Sequence, residues 1–146
     1  MAYPRIRFLL THLAAALLGA VACAILLFWL KHYVSHAVAM MGCYVARQSD
    51  SAGNQDEAIF LLGQASVEDR SYYEPLNLVA DIYLKRGNQK LALETYKKAL
   101  AVFDREGGDS DLSASENAFD RDLLVKKIVD LQKKLVQNGK AQNTSH

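Results

Sequence analysis

The stretch from Phe8 to Leu30, FLLTHLAAALLGAVACAILLFWL, constrains this chain more than any other feature. Only Thr11 and His12 in it are polar, and from Leu13 to Leu30 the run is unbroken apolar sequence. About 20 such residues at 1.5 Å rise cross a hydrocarbon core of roughly 30 Å, so the run predicts a transmembrane helix. A secretory signal has an apolar region of only about 7 to 15 residues and then turns polar. Ala20-Val21-Ala22 resembles its small-residue cleavage site, and Ala22-Cys23 a lipoprotein junction, yet the apolar run continues through Leu30. The reading is an uncleaved anchor.

The flanks of the span set an orientation. The amino terminus, Arg5 and Arg7 precede it, and Lys31 alone is formally charged just after it. Positive charge favours the cytoplasmic side, which places the N-terminus inside and the C-terminal domain in the periplasm or outside. Trp29 and Tyr33 fall where an outer aromatic belt would lie. Thr11, Ala15, Gly19 and Cys23 recur every four residues, with Ala16, Ala20 and Ala24 beside them. Small residues at this spacing let helix backbones approach closely in lipid, so Ala15, Gly19 and Cys23 are candidates for packing against a transmembrane partner. His12, near the helix end, reads as interfacial.

One span in 146 residues leaves room for a single small domain. From Arg47 to His146 there are 14 Lys+Arg and 16 Asp+Glu. That balance lacks the basic stripe of a nucleic-acid binder. The two cysteines form no disulfide framework: Cys23 is in the span, and Cys43 would lie roughly 30 Å further along a continuous helix. Cys43 reads as a small buried residue, with pairing between chains as the alternative.

No helix breaker separates Leu30 from Gly42, and Val34, Ala37, Val38, Met41 and Val45 recur at helical spacing, so the span should run on as one long helix. His32 and His36 stand one turn apart but have no Cys, Asp or Glu on their face to complete a metal site, and read as a solvated pair. Beyond them the chain repeats itself. Gly53-Asn54-Gln55 returns as Gly87-Asn88-Gln89 at an offset of 34 residues. At the same offset Ala58 matches Ala92, Leu62 takes the place of Tyr96, and Ala65 matches Ala99.

The second unit, with Leu76, Val79, Ala80, Tyr83, Gly87, Ala92, Tyr96 and Ala99, resembles the large-and-small pattern of the tetratricopeptide repeat. In such a unit Ala80, Ala92 and Ala99 let two antiparallel helices approach, Tyr83 and Tyr96 fill the gaps, and Gly87 ends the first helix in a left-handed conformation. The first unit is degenerate. Its second helix, with Ala58 and Ala65, is clear, but Gly42 replaces a large aromatic and Ser49 a tyrosine, while Ala46 keeps the small position. The resemblance covers residues 39 to about 105.

Three capping boxes are legible: Asn54 with Glu57, Ser71 with Glu74, and Ser113 with Glu116. Between the second unit and the last helix, seven acids and two arginines lie from Asp104 to Asp122 without the ligand spacing of a calcium loop, which reads as a solvated linker. The last helix carries one apolar stripe, Leu124, Ile128, Leu131 and Leu135, with Lys126, Lys127, Lys133 and Lys134 on other faces, and ends at Asn138-Gly139. A polar-backed terminal helix of this kind closes a stacked array.

The expectation is an all-α chain. Its parts are a cytoplasmic N-terminus (1–7), a transmembrane helix (8–30), a juxtamembrane helix with two repeats (31–105), an acidic linker (106–115), a capping helix (116–138) and a polar tail (139–146). No phosphate loop, metal quartet or nucleophile elbow is present, so no enzyme, cofactor or small-molecule substrate is expected. The resemblance implies a concave protein-binding surface, which Asn77, Asp81 and Lys85 would line from one helix face. The function expected is an accessory subunit of the bacterial inner membrane that docks on a larger complex. The alternative is an anchored periplasmic chaperone or assembly factor with transient clients.

Overall fold

The computed structural model describes residues 3–108 and 112–143, with side chains over 15–108 and 112–138. Thr11, His12, Arg5 and Arg7 lie outside the described side chains, as do Asp109 and Asp111 of the acidic segment and everything beyond Asn143. Among the described residues every regular element is α-helical: α1 (Tyr3–Ser51), α2 (Gln55–Glu68), α3 (Glu74–Lys85), α4 (Gln89–Glu106) and α5 (Ala114–Asn143). The chain divides into two units, Met1–Ser35 and His36–His146.

In the first unit, the side chains of α1 from Ala15 to Val34 are exposed, including Leu17, Leu18, Phe28 and Trp29. One helix at the N-terminus is long and apolar enough to cross a membrane. A helix suits that medium because its backbone groups are satisfied within the segment.

The second unit is built of two helical hairpins and a closing helix. The 36–51 portion of α1 pairs with α2, and α3 pairs with α4. The two hairpin turns take the same conformation. Gly53 and Gly87 have φ of +86° and +75°, and the asparagines after them sit at φ −84° with ψ of 60° and 69°. Asn54 donates its amide to the Ser49 carbonyl at 2.8 Å, and Asn88 donates to Tyr83 at 2.9 Å. Each bond spans five residues and closes the helix end around the left-handed glycine, a position that carries almost no steric cost only without a Cβ.

Small residues repeat with the turns. Ala46 and Ala80, Ala58 and Ala92, and Ala65 and Ala99 are all buried, as are Leu62 and Tyr96 at one shared register. One apolar cluster forms around Ala39, Cys43, Ala46, Ala58, Leu62 and Ala65 with Ile82 of α3. The other gathers Tyr73, Ala80, Ala92, Tyr96, Ala99 and Phe103 under Leu124, Ile128 and Leu131 of α5. Tyr83 is only half-buried and packs at the edge of this second cluster. In the first hairpin the helices come close at Gly42, where an added Cβ would stand 3.1 Å from the Cβ of Ala65. Burial of Cys43 pushes its thiol up to about 12, with Glu74 adding to the effect and Arg47 opposing it. Such a thiol is unreactive at neutral pH.

Three local readings need correction. Asn54 makes no side-chain cap, and Glu57 accepts instead from the Ser49 hydroxyl at 3.2 Å. Ser71 does not open α3: its amide donates to the Asp69 carboxylate at 2.9 Å and its hydroxyl donates to the same oxygen. An aspartate two residues upstream is a ready local acceptor. Pro75 meanwhile starts α3 with its φ already fixed, and Tyr73 holds the cap position. The last helix runs to Asn143 rather than stopping at Asn138-Gly139. A single glycine costs a helix only about 1 kcal/mol, which is too little to end one. The third capping box is formed: the Ser113 amide donates to Glu116 at 2.9 Å and the Glu116 amide to the Ser113 hydroxyl at 3.4 Å.

Candidate functional site

The residues expected to line a groove stand on α3 four apart, so one face presents all of them. Asn77 and Asp81 both meet Lys127 of α5, whose Nζ donates to Asn77 at 3.1 Å and to the two Asp81 oxygens at 2.9 and 3.2 Å. The Tyr96 hydroxyl also donates to Asp81. The Lys127 ammonium lies 5.0 Å from the centre of the Tyr96 ring, a cation–π distance. Burial and the Asp81 carboxylate together push the Tyr96 phenol well above its ordinary range. Lys85 pairs with Asp50 at the end of α1, and one turn earlier Arg47 of α1 pairs with Glu74 of α3.

These bonds line a groove of about 430 Å³ between α1 and α3, with Leu62, Leu78 and Ile82 forming its apolar part and Arg47, Asp50, Asp81 and Lys85 its polar part. A second hollow of about 340 Å³ continues between α3 and α5, past Glu74, Asn77 and Asp120. There the Tyr73 hydroxyl donates to Asp120 at 2.7 Å. The cations of the groove are thus already matched to carboxylates. A partner that enters must exchange these pairs rather than meet bare charge, and exposed pairs of this kind are each worth only about 0–1 kcal/mol. The chemistry is that of a recognition surface: apolar contacts with exchangeable ion pairs around them.

The expectation that Lys127 lies on a face other than the apolar stripe of α5 is corrected: it stands within the stripe and reaches Asp81. Its spacing carried the signal, because position 127 is three residues after Leu124 and four before Leu131, inside the buried stripe. The solvated reading of His36 is corrected as well. Its Nδ1 lies 2.7 Å from the Asp69 carboxylate, and its ring meets Tyr72 edge-on at 4.9 Å between centroids. Asp69 is 5% exposed. Burial would raise its carboxyl, but hydrogen bonds from the Ser71 hydroxyl, His36 and the Ser71 amide outweigh that and hold it below the usual carboxylate value. No sequence signal linked residues 36 and 69, which stand 33 apart and meet only when α1 packs on α2.

A third groove, of about 590 Å³, lies on the first hairpin and is lined by Val38, Gly42, Phe60, Leu61, Gly63, Val67 and Glu68 among others. It is mostly apolar. In the span, Cys23 is exposed and nothing lies within 4 Å of a Cβ built on Gly19; Ala15 is exposed on the same helix. Compared with protein-family models and with curated proteins, the chain matches none.

Proposed function

We propose that this protein is a membrane-anchored, non-enzymatic interaction subunit whose short tetratricopeptide-like domain docks on a larger membrane complex. One observation carries the reading: the two hairpins share turn dihedrals, glycine positions and buried alanines at a constant offset of 34 residues. That period and that alternation of large and small residues are the mark of the repeat family, whose members recognise other proteins with the first helices of their units. Here those helices are the 36–51 portion of α1 and α3, and between them lies the groove of Arg47, Asp50, Asp81 and Lys85. The apolar run of α1 supplies the anchor, and its Ala15, Gly19 and Cys23 face gives a second contact inside the membrane.

The arginines before the span favour an N-terminus in the cytoplasm and a domain in the periplasm of a bacterial inner membrane. Two hairpins bury little surface alone, so the groove and the span would act together, each raising the local concentration of the other. Purification in mild detergent with mass spectrometry tests the reading. A complex that co-purifies in fixed stoichiometry, and weakens with Gly19→Leu, supports it. A broad spread of substoichiometric clients, unchanged by that substitution, would overturn it.

A further inference from the structure

We propose that the outer face of the first hairpin is a self-association surface that seats the C-terminal half of α5 from a second copy of this chain. The proposal does not rest on the subunit reading, which concerns the polar groove and the span. It starts from the internal register. In the second hairpin Tyr72, Leu78, Val79 and Ile82 are covered by the cluster that α2 builds. The residues 34 positions earlier are Val38, Tyr44, Val45 and Gln48, and all four are exposed. Phe60 and Val67 of α2 widen the patch at 63% and 66% exposure. The α1 part of this face is therefore covered in one hairpin and bare in the other. Where α2 exposes Phe60 and Val67, the second hairpin exposes Glu94 and Ala101 at the same register. A bare apolar face of this kind marks a contact.

Charge selects the occupant. α2 carries Asp56, Glu57 and Glu68 and no Lys or Arg. Arg86 bridges Asp56 at 2.8 Å, so Glu57 and Glu68 set the sign beside Phe60 and Val67. Two such faces set against each other would oppose acid to acid, which excludes a symmetric pair. An anionic lipid surface is disfavoured for the same reason. The complementary surface is in this chain. Over residues 123–138, α5 exposes Lys126, Lys133 and Lys134 against the single acid Asp130. On the side away from its buried stripe it also exposes Val129 and Val136, seven residues apart and so on one face. Valines flanked by lysines would meet Phe60 and Val67 flanked by glutamates. Each copy offers one hairpin face and one α5, so the contact is head to tail.

The test uses the full chain in detergent with Cys23→Ala. One population carries Val67→Cys, and a second, differently tagged, carries Val129→Cys; both sites are exposed. A short bismaleimide should give the mixed crosslink when the two are combined and none in either population alone. Glu68→Lys in the first population should abolish it, and Lys133→Glu in the second should restore it against that variant. Homotypic Val67→Cys products without the mixed one would overturn the proposal. So would the absence of any crosslink, or a mixed crosslink indifferent to both charge reversals. Protection of the position 67 thiol by phosphatidylglycerol vesicles, without the mixed crosslink, would assign the face to lipid instead.

Discussion

The two hairpins of the second unit share a backbone plan and differ in what fills it. At one register the second hairpin places Tyr96 and the first Leu62, both buried. At another, Leu76 packs against the second cluster, while Gly42 leaves only the close approach of α1 to Ala65. The second hairpin adds polar fastening, with Tyr96 and Lys127 both on Asp81 and α5 laid over its cluster. The first has Arg47 where the second has Asp81, an exposed pair with Glu74, and an outer apolar face in the open. A repeat therefore fixes where helices turn and approach, not how strongly each unit is held. The polar network and the closing helix predict that the second hairpin is the more stable half.

The largest test of that difference is Tyr96→Ala. Loss of a buried aromatic costs about 3–5 kcal/mol, and Leu62→Ala should fall toward the lower end of roughly 2–5 kcal/mol. Urea titration of the detergent-solubilised chain, followed by near-ultraviolet circular dichroism, reads both. An equal loss at the two positions would mean that the hairpins are held alike.

Gly42→Leu probes the close approach. The new side chain has to enter where even a Cβ would lie 3.1 Å from Ala65. Overpacking of this kind costs about 1–3 kcal/mol, and the same titration should show it. Wild-type stability would mean that α1 and α2 stand further apart than described.

Asp81→Ala leaves the buried Tyr96 hydroxyl and the Lys127 ammonium without their shared acceptor, at a cost of about 1–3 kcal/mol. Arg47→Ala, at the matching position of the first hairpin, removes an exposed ion pair and should change stability by no more than about 1 kcal/mol. A double-mutant cycle of Asp81→Ala with Lys127→Met would show coupling if the network fastens α5 to α3, and strict additivity would break that account.

The smallest effect is a pH dependence in the first hairpin. Asp69 ionises more readily in the folded chain than in the unfolded one, where a carboxyl titrates near about 3.9. Its contribution is therefore complete above that value and is lost as pH falls through the lower folded value. Asp69→Asn should flatten the acid limb of the stability profile. An unchanged limb would separate the His36–Asp69 contact from stability.

Much of this was legible in sequence because it is local. An apolar run of sufficient length fixes a membrane-compatible helix, since only hydropathy and rise per residue enter. Gly53 and Gly87 fix the turns because a residue without a Cβ is needed at positive φ. The spacing of Ala58, Ala65, Ala92 and Ala99 fixes which helix faces meet. Ser71 misled because Asp69, two residues away, offered a nearer acceptor than the helix amides did.

What tertiary structure alone decided is the pairing of distant polar groups. Asn77, Asp81 and Lys85 could be placed on one helix face from their spacing, but their partners come from α5, α4 and α1. Lys127 meets Asp81, and His36 turns from solvent to Asp69, because helices packed by their small residues bring those side chains within reach. Periodicity encodes a face, whereas a hydrogen bond needs the position of the neighbouring helix to within a fraction of an ångström. That position is set by how every small residue in the interface packs.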